Sequence, residues 1–174
     1  AMYTSSFSSC MEDGNWQLAM DMLTKMDKDG VSKTKLAYFV AIGACGKGGQ
    51  WQRALGLLRE MPEVALQADQ CVYNLVFDAM YEVPIGPELF REAFQQDLYP
   101  NLLRLGYESL DLHGTAPGAA ALAVRWWLAE IVPHIIGRTD SPRQLSIITG
   151  WGKHRDDGQL SVIKPMVVSL LEDL

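Results

Sequence analysis

The stretch Ala44-Cys45-Gly46-Lys47-Gly48-Gly49-Gln50-Trp51-Gln52-Arg53-Ala54-Leu55-Gly56-Leu57-Leu58-Arg59-Glu60-Met61 decides the fold. Moved back by 35 residues, it meets itself. Cys45, Gly49, Trp51, Gln52, Ala54, Leu58 and Met61 fall on Cys10, Gly14, Trp16, Gln17, Ala19, Leu23 and Met26. Tyr38 falls on Tyr3, and one step onward Tyr73 falls on Tyr38 and Ala79 on Ala44. Within each copy, Trp16, Ala19, Met20 and Leu23, then Trp51, Ala54, Leu55 and Leu58, follow the i, i+3, i+4, i+7 spacing of one helix face. Asp13-Gly14 and Gly48-Gly49 break the chain before these helices, and Tyr3–Met11 and Leu36–Cys45 are each long enough for a preceding helix. A helical hairpin this small cannot bury its apolar face alone, so neighbouring hairpins must stack into a solenoid. Residues 1–69 hold two such units. Residues 70–97 read as a degenerate third unit closing the stack, with Val83-Pro84-Ile85-Gly86-Pro87 in place of the Gly-x-Trp turn. Further repeats are expected upstream.

A helical hairpin of 35 residues with this Gly-Gly-x-Trp turn, the Glu60-Met61 ending and the Cys71-Val72-Tyr73-Asn74 opening resembles the pentatricopeptide repeat (PPR) family. The resemblance implies single-stranded RNA as partner, roughly one base per repeat, read by a first-helix residue and the last residue of the unit. Carried onto this chain, those positions are Thr4 with Thr34, Phe39 with Asp69, and Asn74 in the third unit. The family's usual pairs set Thr or Asn against Asp or Asn, and Thr4/Thr34 and Phe39/Asp69 depart from them. No target sequence is therefore read.

Composition sets the outer bounds. The chain has 174 residues, 48% apolar and 21% charged, which excludes a disordered chain, a collagen and a disulfide-stapled miniprotein. No uninterrupted apolar run of the roughly 18 residues needed to span a bilayer is read, so no membrane association is expected. The first residues lack a signal-peptide pattern, and no targeting segment is visible. Cys10, Cys45 and Cys71 have neither metal nor disulfide-framework spacing. Fifteen basic against 21 acidic residues give a net charge of −6. Residues 1–97 carry 8 basic and 13 acidic residues, whereas 138–155 hold Arg138, Arg143, Lys153 and Arg155 against Asp140 alone. That local excess suits a phosphate or a solvated loop equally.

Past a joint at 98–108 the pattern changes. Leu110-Asp111-Leu112-His113-Gly114 alternates like a strand ending at a turn. Pro117 opens a helix whose face is Ala120, Val124, Trp127, Leu128 and Ile131. One of the adjacent Trp126 and Trp127 is expected to pack and the other to be more exposed, and His134–Arg143 reads as a polar loop. Leu145-Ser146-Ile147-Ile148-Thr149 is a buried-type strand, and a last helix carries Ile163, Met166, Val167, Leu170, Leu171 and Leu174. The order β-α-β-α over 109–174 predicts two parallel strands whose ends share one edge, where ligands gather. Asp111 could hold a divalent cation or act as a base, and His113 could move a proton. Gly150 and Gly152 allow backbone N–H groups near a phosphate, Lys153, His154 and Arg155 supply charge, and Trp151 can stack on a base. Each residue singly is more readily structural, a turn-capping Asp or a satisfied His; together at matching strand ends the functional reading draws level.

Leu-Asp-Leu-His-Gly at 110–114, followed by Thr-Gly-Trp-Gly-Lys-His at 149–154, resembles the Smr (small MutS-related) domain over about residues 107–174. The resemblance implies metal-assisted phosphodiester cleavage. Asp111 and His113 would form the active motif, Thr149 to Gly152 would engage the strand, and Mg²⁺ or Mn²⁺ would be the cofactor. That fold continues with further strands, so the domain is expected to be incomplete here. PPR units followed by an Smr domain resemble proteins of plastids or mitochondria that process or protect RNA. The whole chain is thus expected to be mostly α, a repeat solenoid followed by a small α/β domain. Its expected role is an RNA-binding nuclease or clamp, monomeric and open to protein partners. The alternatives are a non-catalytic RNA-protecting module and a helical-repeat interaction scaffold, the latter suggested by the acidic repeats.

Overall fold

The computed structural model describes residues 10–137, 144–149 and 162–172. It divides after Met80 into two compact units.

The first unit is helical throughout. Residues 10–13 are helical. They are followed by α1 (Trp16–Lys28), α2 (Lys35–Lys47), α3 (Trp51–Glu60) with a 3₁₀ turn at Met61–Val64, and α4 (Gln70–Met80). The 35-residue period recurs in the backbone bonds. The Asn15 N–H donates to the Cys10 carbonyl at 3.0 Å, and Gln50 to Cys45 at 2.8 Å. Val31 donates to Met26 at 2.8 Å, and Leu66 to Met61 at 2.9 Å. Gly14 and Gly49 have φ of +65° and +69°, so both turns use the left-handed conformation that glycine adopts without steric cost. The helical-repeat expectation for this region is met.

Helix α2 packs on α1, α3 and α4. It buries Ala37, Tyr38 and every residue from Val40 to Cys45, as a helix apolar on all sides must. The repeats lock together at the turn. A Cβ on Gly48 would lie 2.4 Å from Cδ1 of Trp16, so only glycine lets that ring seat there. The Arg53 guanidinium lies 4.5 Å above the same ring, a contact worth about 0.5–1 kcal/mol.

The second unit begins at Tyr81. Its elements are α5 (Gly86–Gln95), β1 (Leu103–Arg104), β2 (Ser109–Asp111), α6 (Pro117–Trp126), a π-helical turn (Trp127–Ile131), α7 (Val132–Ile136), β3 (Ser146–Ile148) and α8 (Ile163–Glu172). The division falls inside the 70–97 segment, so α4 belongs to the first unit and α5 to the second. Helix α5 packs on α6: Phe90 and Phe94 lie 5.8 and 4.5 Å from the Trp126 ring, and Arg91 pairs with Glu130. The π turn widens the helix at the tryptophans, and both Trp126 and Trp127 are buried, contrary to the expectation that one is exposed. His134 is exposed as expected, but it stands on α7 rather than in a loop.

The sheet order is β1-β2-β3. Strands β2 and β3 are parallel, with Ser109, Leu110 and Asp111 opposite Ser146, Ile147 and Ile148, as the strand-helix-strand order predicts. Strand β1 is added antiparallel on the other side, with Leu103 opposite Leu110 and Arg104 opposite Ser109. It comes from the segment read as a joint, because a two-residue strand is too short to show alternation. Pro117–Ile136 runs as 20 continuous helical residues, long and apolar enough by length and composition to cross a membrane. It is not the uninterrupted apolar run considered in the sequence, because Arg125, Glu130 and His134 lie within it. Just over half of its most apolar 18 residues are buried within the chain, as in the core helix of a globular unit.

Candidate functional site

The candidate site grows from the β1–β2 hairpin. Leu105, Gly106 and Tyr107 turn the chain with φ of +51°, +65° and +76°. Leucine and tyrosine in the left-handed region cost roughly 1–2 kcal/mol each. The turn is held by the Trp127 indole, whose Nε1–H donates to the Tyr107 carbonyl at 3.0 Å. Past the turn, the Asp111 N–H donates to the Leu102 carbonyl at 2.7 Å, and the Leu112 N–H to the Ile148 carbonyl at 2.8 Å. Gly114 then reverses the chain at φ +73°, and the Thr115 hydroxyl caps the turn on the Leu112 carbonyl at 2.9 Å. Strain around a polar centre is a recurrent mark of function.

Asp111 is that centre. Its side chain is only 2% exposed. Oδ1 accepts from the His113 backbone N–H at 2.9 Å and lies 2.6 Å from His113 Nδ1. Oδ2 lies 2.6 Å from Arg104 Nη2, an ion pair without hydrogen-bond alignment, and has no hydrogen-bond partner among the described residues. Burial pushes the carboxyl up. The two His113 bonds, with the His113 and Arg104 charges, outweigh it and hold Asp111 below the usual carboxylate range. The His113 side chain is 54% exposed. With Nδ1 held by the carboxylate, Nε2 is the ring nitrogen that Asp111 does not engage. A buried carboxylate orienting an exposed imidazole is an arrangement for moving protons.

Register brings Thr149, the residue after Ile148, to the same sheet end as Leu112 and His113. Of the second predicted motif, Gly150, Trp151, Gly152, Lys153, His154 and Arg155 lie outside the described residues, as does Thr4. Arg104 was missed by the sequence reading. The signal available was Leu102-Leu103 and Ser109-Leu110 flanking a short loop that contains Gly106.

In the first unit, Thr34 and Asp69 occupy equivalent places 35 residues apart. Each caps the next first helix: Thr34 Oγ1 accepts from the Ala37 N–H at 3.3 Å, and Asp69 Oδ1 from the Val72 N–H at 3.1 Å. Asp69 also pairs with Lys35, and these bonds together hold its carboxyl below the ordinary range. Phe39 on α2 and Asn74 on α4 are half-buried.

The Mg²⁺ or Mn²⁺ expected at Asp111 would meet a carboxylate already paired with Arg104. A cation at Oδ2 would have to displace the Arg104 guanidinium, and no group of three His, Cys, Asp or Glu side chains suited to a metal occurs among the described residues.

The PPR repeat family model matches residues 1–31 and 40–64, both inside the first unit. The pentatricopeptide repeat-containing protein At1g74750 of Arabidopsis thaliana is 26% identical over 93 residues, 53% of this chain and 10% of that protein. The chain therefore spans about a tenth of the curated relative's length. The chain is thus similar to PPR repeats over residues 1–31 and 40–64.

Proposed function

We propose that the chain binds single-stranded RNA along its repeats and that the Asp111–His113 pair cuts a phosphodiester bond of the bound strand. The observation that carries the binding half is the 35-residue repeat, matched at 1–31 and 40–64 by a class of repeats that generally binds single-stranded RNA. The reading assigns base contacts to Thr4, Thr34, Phe39, Asp69 and Asn74, and strand contacts to the segment Thr149 to Arg155. The cutting half rests on the buried carboxylate that orients His113 at 2.6 Å, together with the resemblance of 110–114 and 149–154 to the Smr family.

Neutral His113 donates its Nδ1–H to Asp111 and presents the Nε2 lone pair. Nε2 takes the proton of an RNA 2′-hydroxyl. The 2′ oxygen then bonds to the adjacent phosphorus, the P–O5′ bond breaks, and the departing 5′ oxygen takes a proton back from the imidazolium. The products are a 2′,3′-cyclic phosphate and a 5′-hydroxyl. Asp111 stays ionised throughout and keeps the productive tautomer.

The test is end-labelled single-stranded RNA incubated with the 174-residue chain, Asp111→Asn and His113→Ala, in a chelator and in Mg²⁺ or Mn²⁺. The native chain should cut in the chelator. Both variants should lose on the order of 10²–10⁴-fold in rate while still binding. Cutting only with added metal overturns the proton-transfer route in favour of a metal-assisted one. Binding without cutting in every condition leaves an RNA clamp. The Arabidopsis relative comes from a plant, and the reading extends to RNA processing in a plastid or mitochondrion. Imaging of a tagged parent protein checks that location.

A further inference from the structure

Two exposed side chains share the buried Asp111 carboxylate. His113 is held on one oxygen through Nδ1 at 2.6 Å, and Arg104 on the other through Nη2 at 2.6 Å. The two side chains are 54% and 55% exposed, while the carboxylate between them is 2% exposed. The acid is therefore a mounting point that presents an imidazole and a guanidinium side by side to solvent. The ion pair lacks hydrogen-bond alignment, and a guanidinium more than half exposed adds little to folding by pairing alone. Its planar fork of five donors matches phosphate oxygens. The hairpin that brings Arg104 here turns through left-handed Leu105 and Tyr107, and the Trp127 indole anchors it. Local backbone comfort is given up, and the result is Arg104 set against Asp111.

We propose that Arg104 is the phosphate-binding partner of His113: its guanidinium holds the non-bridging oxygens of the scissile phosphate while His113 moves the proton. This rests on the cleavage reading above and adds to it a second residue, beside His113, that touches the substrate. Negative charge that accumulates on the phosphate oxygens as the P–O5′ bond breaks is met by the fork. Asp111 serves both neighbours and touches no substrate.

The test compares the full chain with Arg104→Lys and Arg104→Gln in steady-state cleavage of single-stranded RNA, across a range of pH around the ordinary histidine value. Both variants should lose on the order of 10²-fold in kcat, with the pH profile unmoved and the fold unchanged by circular dichroism. Lysine keeps a positive charge beside Asp111 but not the fork, so a merely structural ion pair would be rescued by Arg104→Lys. Native rates in Arg104→Lys, or a displaced pH profile at undiminished kcat, overturn the proposal while His113→Ala still upholds the cleavage reading. If the native chain cuts no RNA, the cleavage reading fails, and titration with inorganic phosphate decides the site alone. Saturable shifts of the Arg104 Nε–H and His113 ring resonances, lost in His113 when Arg104→Gln is made, uphold a phosphate site. Unmoved resonances in the native chain overturn it. Should Arg104→Gln not fold, the Arg104→Lys rates and the titration of the native chain decide.

Discussion

Ala65 occupies in the second repeat the left-handed position that Gly30 holds in the first, at φ +58° against +67°. A Cβ there is strained, whereas glycine is not. Ala65→Gly should therefore raise the unfolding free energy by about 1 kcal/mol despite the added freedom of the unfolded chain. Denaturant unfolding checks this: the midpoint should rise at constant slope, and an unchanged midpoint would remove the strain. A second residue-level test concerns Glu60. Its Oε1 accepts from the Tyr38 hydroxyl at 2.6 Å and from Lys33 Nζ at 2.9 Å, while Lys33 also reaches Asp27 at 2.9 Å. Burial pushes the Glu60 carboxyl up, but the Lys33 and Tyr38 bonds outweigh it and leave it lowered. Burial pushes Lys33 down, but its carboxylate partners leave it raised. Burial and Glu60 together raise Tyr38. The Glu60 contribution is thus present above its ordinary value of about 4.3 and lost as pH falls through the lower folded value. The Lys33 and Tyr38 contributions are complete below about pH 10 and lost as pH rises through their raised folded values. Glu60→Gln should cost about 1–2 kcal/mol at neutral pH and flatten both limbs of a stability-against-pH curve. Limbs as steep as in the native chain would show that the network does not set them.

At the scale of elements, the helix caps double as candidate recognition positions, and the two roles can be separated. Asp69 caps α4 through the Val72 N–H. Asp69→Ala should destabilise the chain by about 0.5–2 kcal/mol, whereas Asp69→Ser keeps a capping oxygen and should cost much less. A change in RNA base preference that appears in both variants belongs to recognition, and one that follows the melting temperature belongs to the cap. Elements also mark how far the sequence could be read. The repeat was legible because Gly49, Trp51 and Ala54 each return a residue of the same kind 35 places earlier, and chain geometry follows from that equality. The parallel β2–β3 pairing was legible from element order. Strand β1 was not, because two residues carry no period and Leu105 and Tyr107 are poor turn formers by type. Nor was the π turn, since nothing in Trp126-Trp127-Leu128 distinguishes a widened turn from a regular one. Arg104 stayed hidden for the same reason as β1. Its meeting with Asp111 depends on antiparallel pairing across a strained turn, whereas the Asp111–His113 contact spans only two residues along the chain.

The whole molecule carries a net charge of −6, with 8 basic against 13 acidic residues in positions 1–97. Binding of a polyanion to such a chain must be local, through a few Lys and Arg side chains and base contacts, rather than through a broad positive field. Affinity for RNA should then fall with salt by a modest power, with a slope of roughly −0.7 for each phosphate neutralised. With roughly one base per repeat, the repeats matched over residues 1–31 and 40–64 should engage a short site. The measurement that reaches the central claim most directly is fluorescence anisotropy of a labelled single-stranded RNA titrated with the 174-residue chain at several salt concentrations, beside duplex RNA of the same sequence. The account predicts saturable binding of the single strand, weakening linearly on a log–log salt plot, with the duplex markedly poorer. No saturable binding at low salt, or equal binding of strand and duplex, would contradict it.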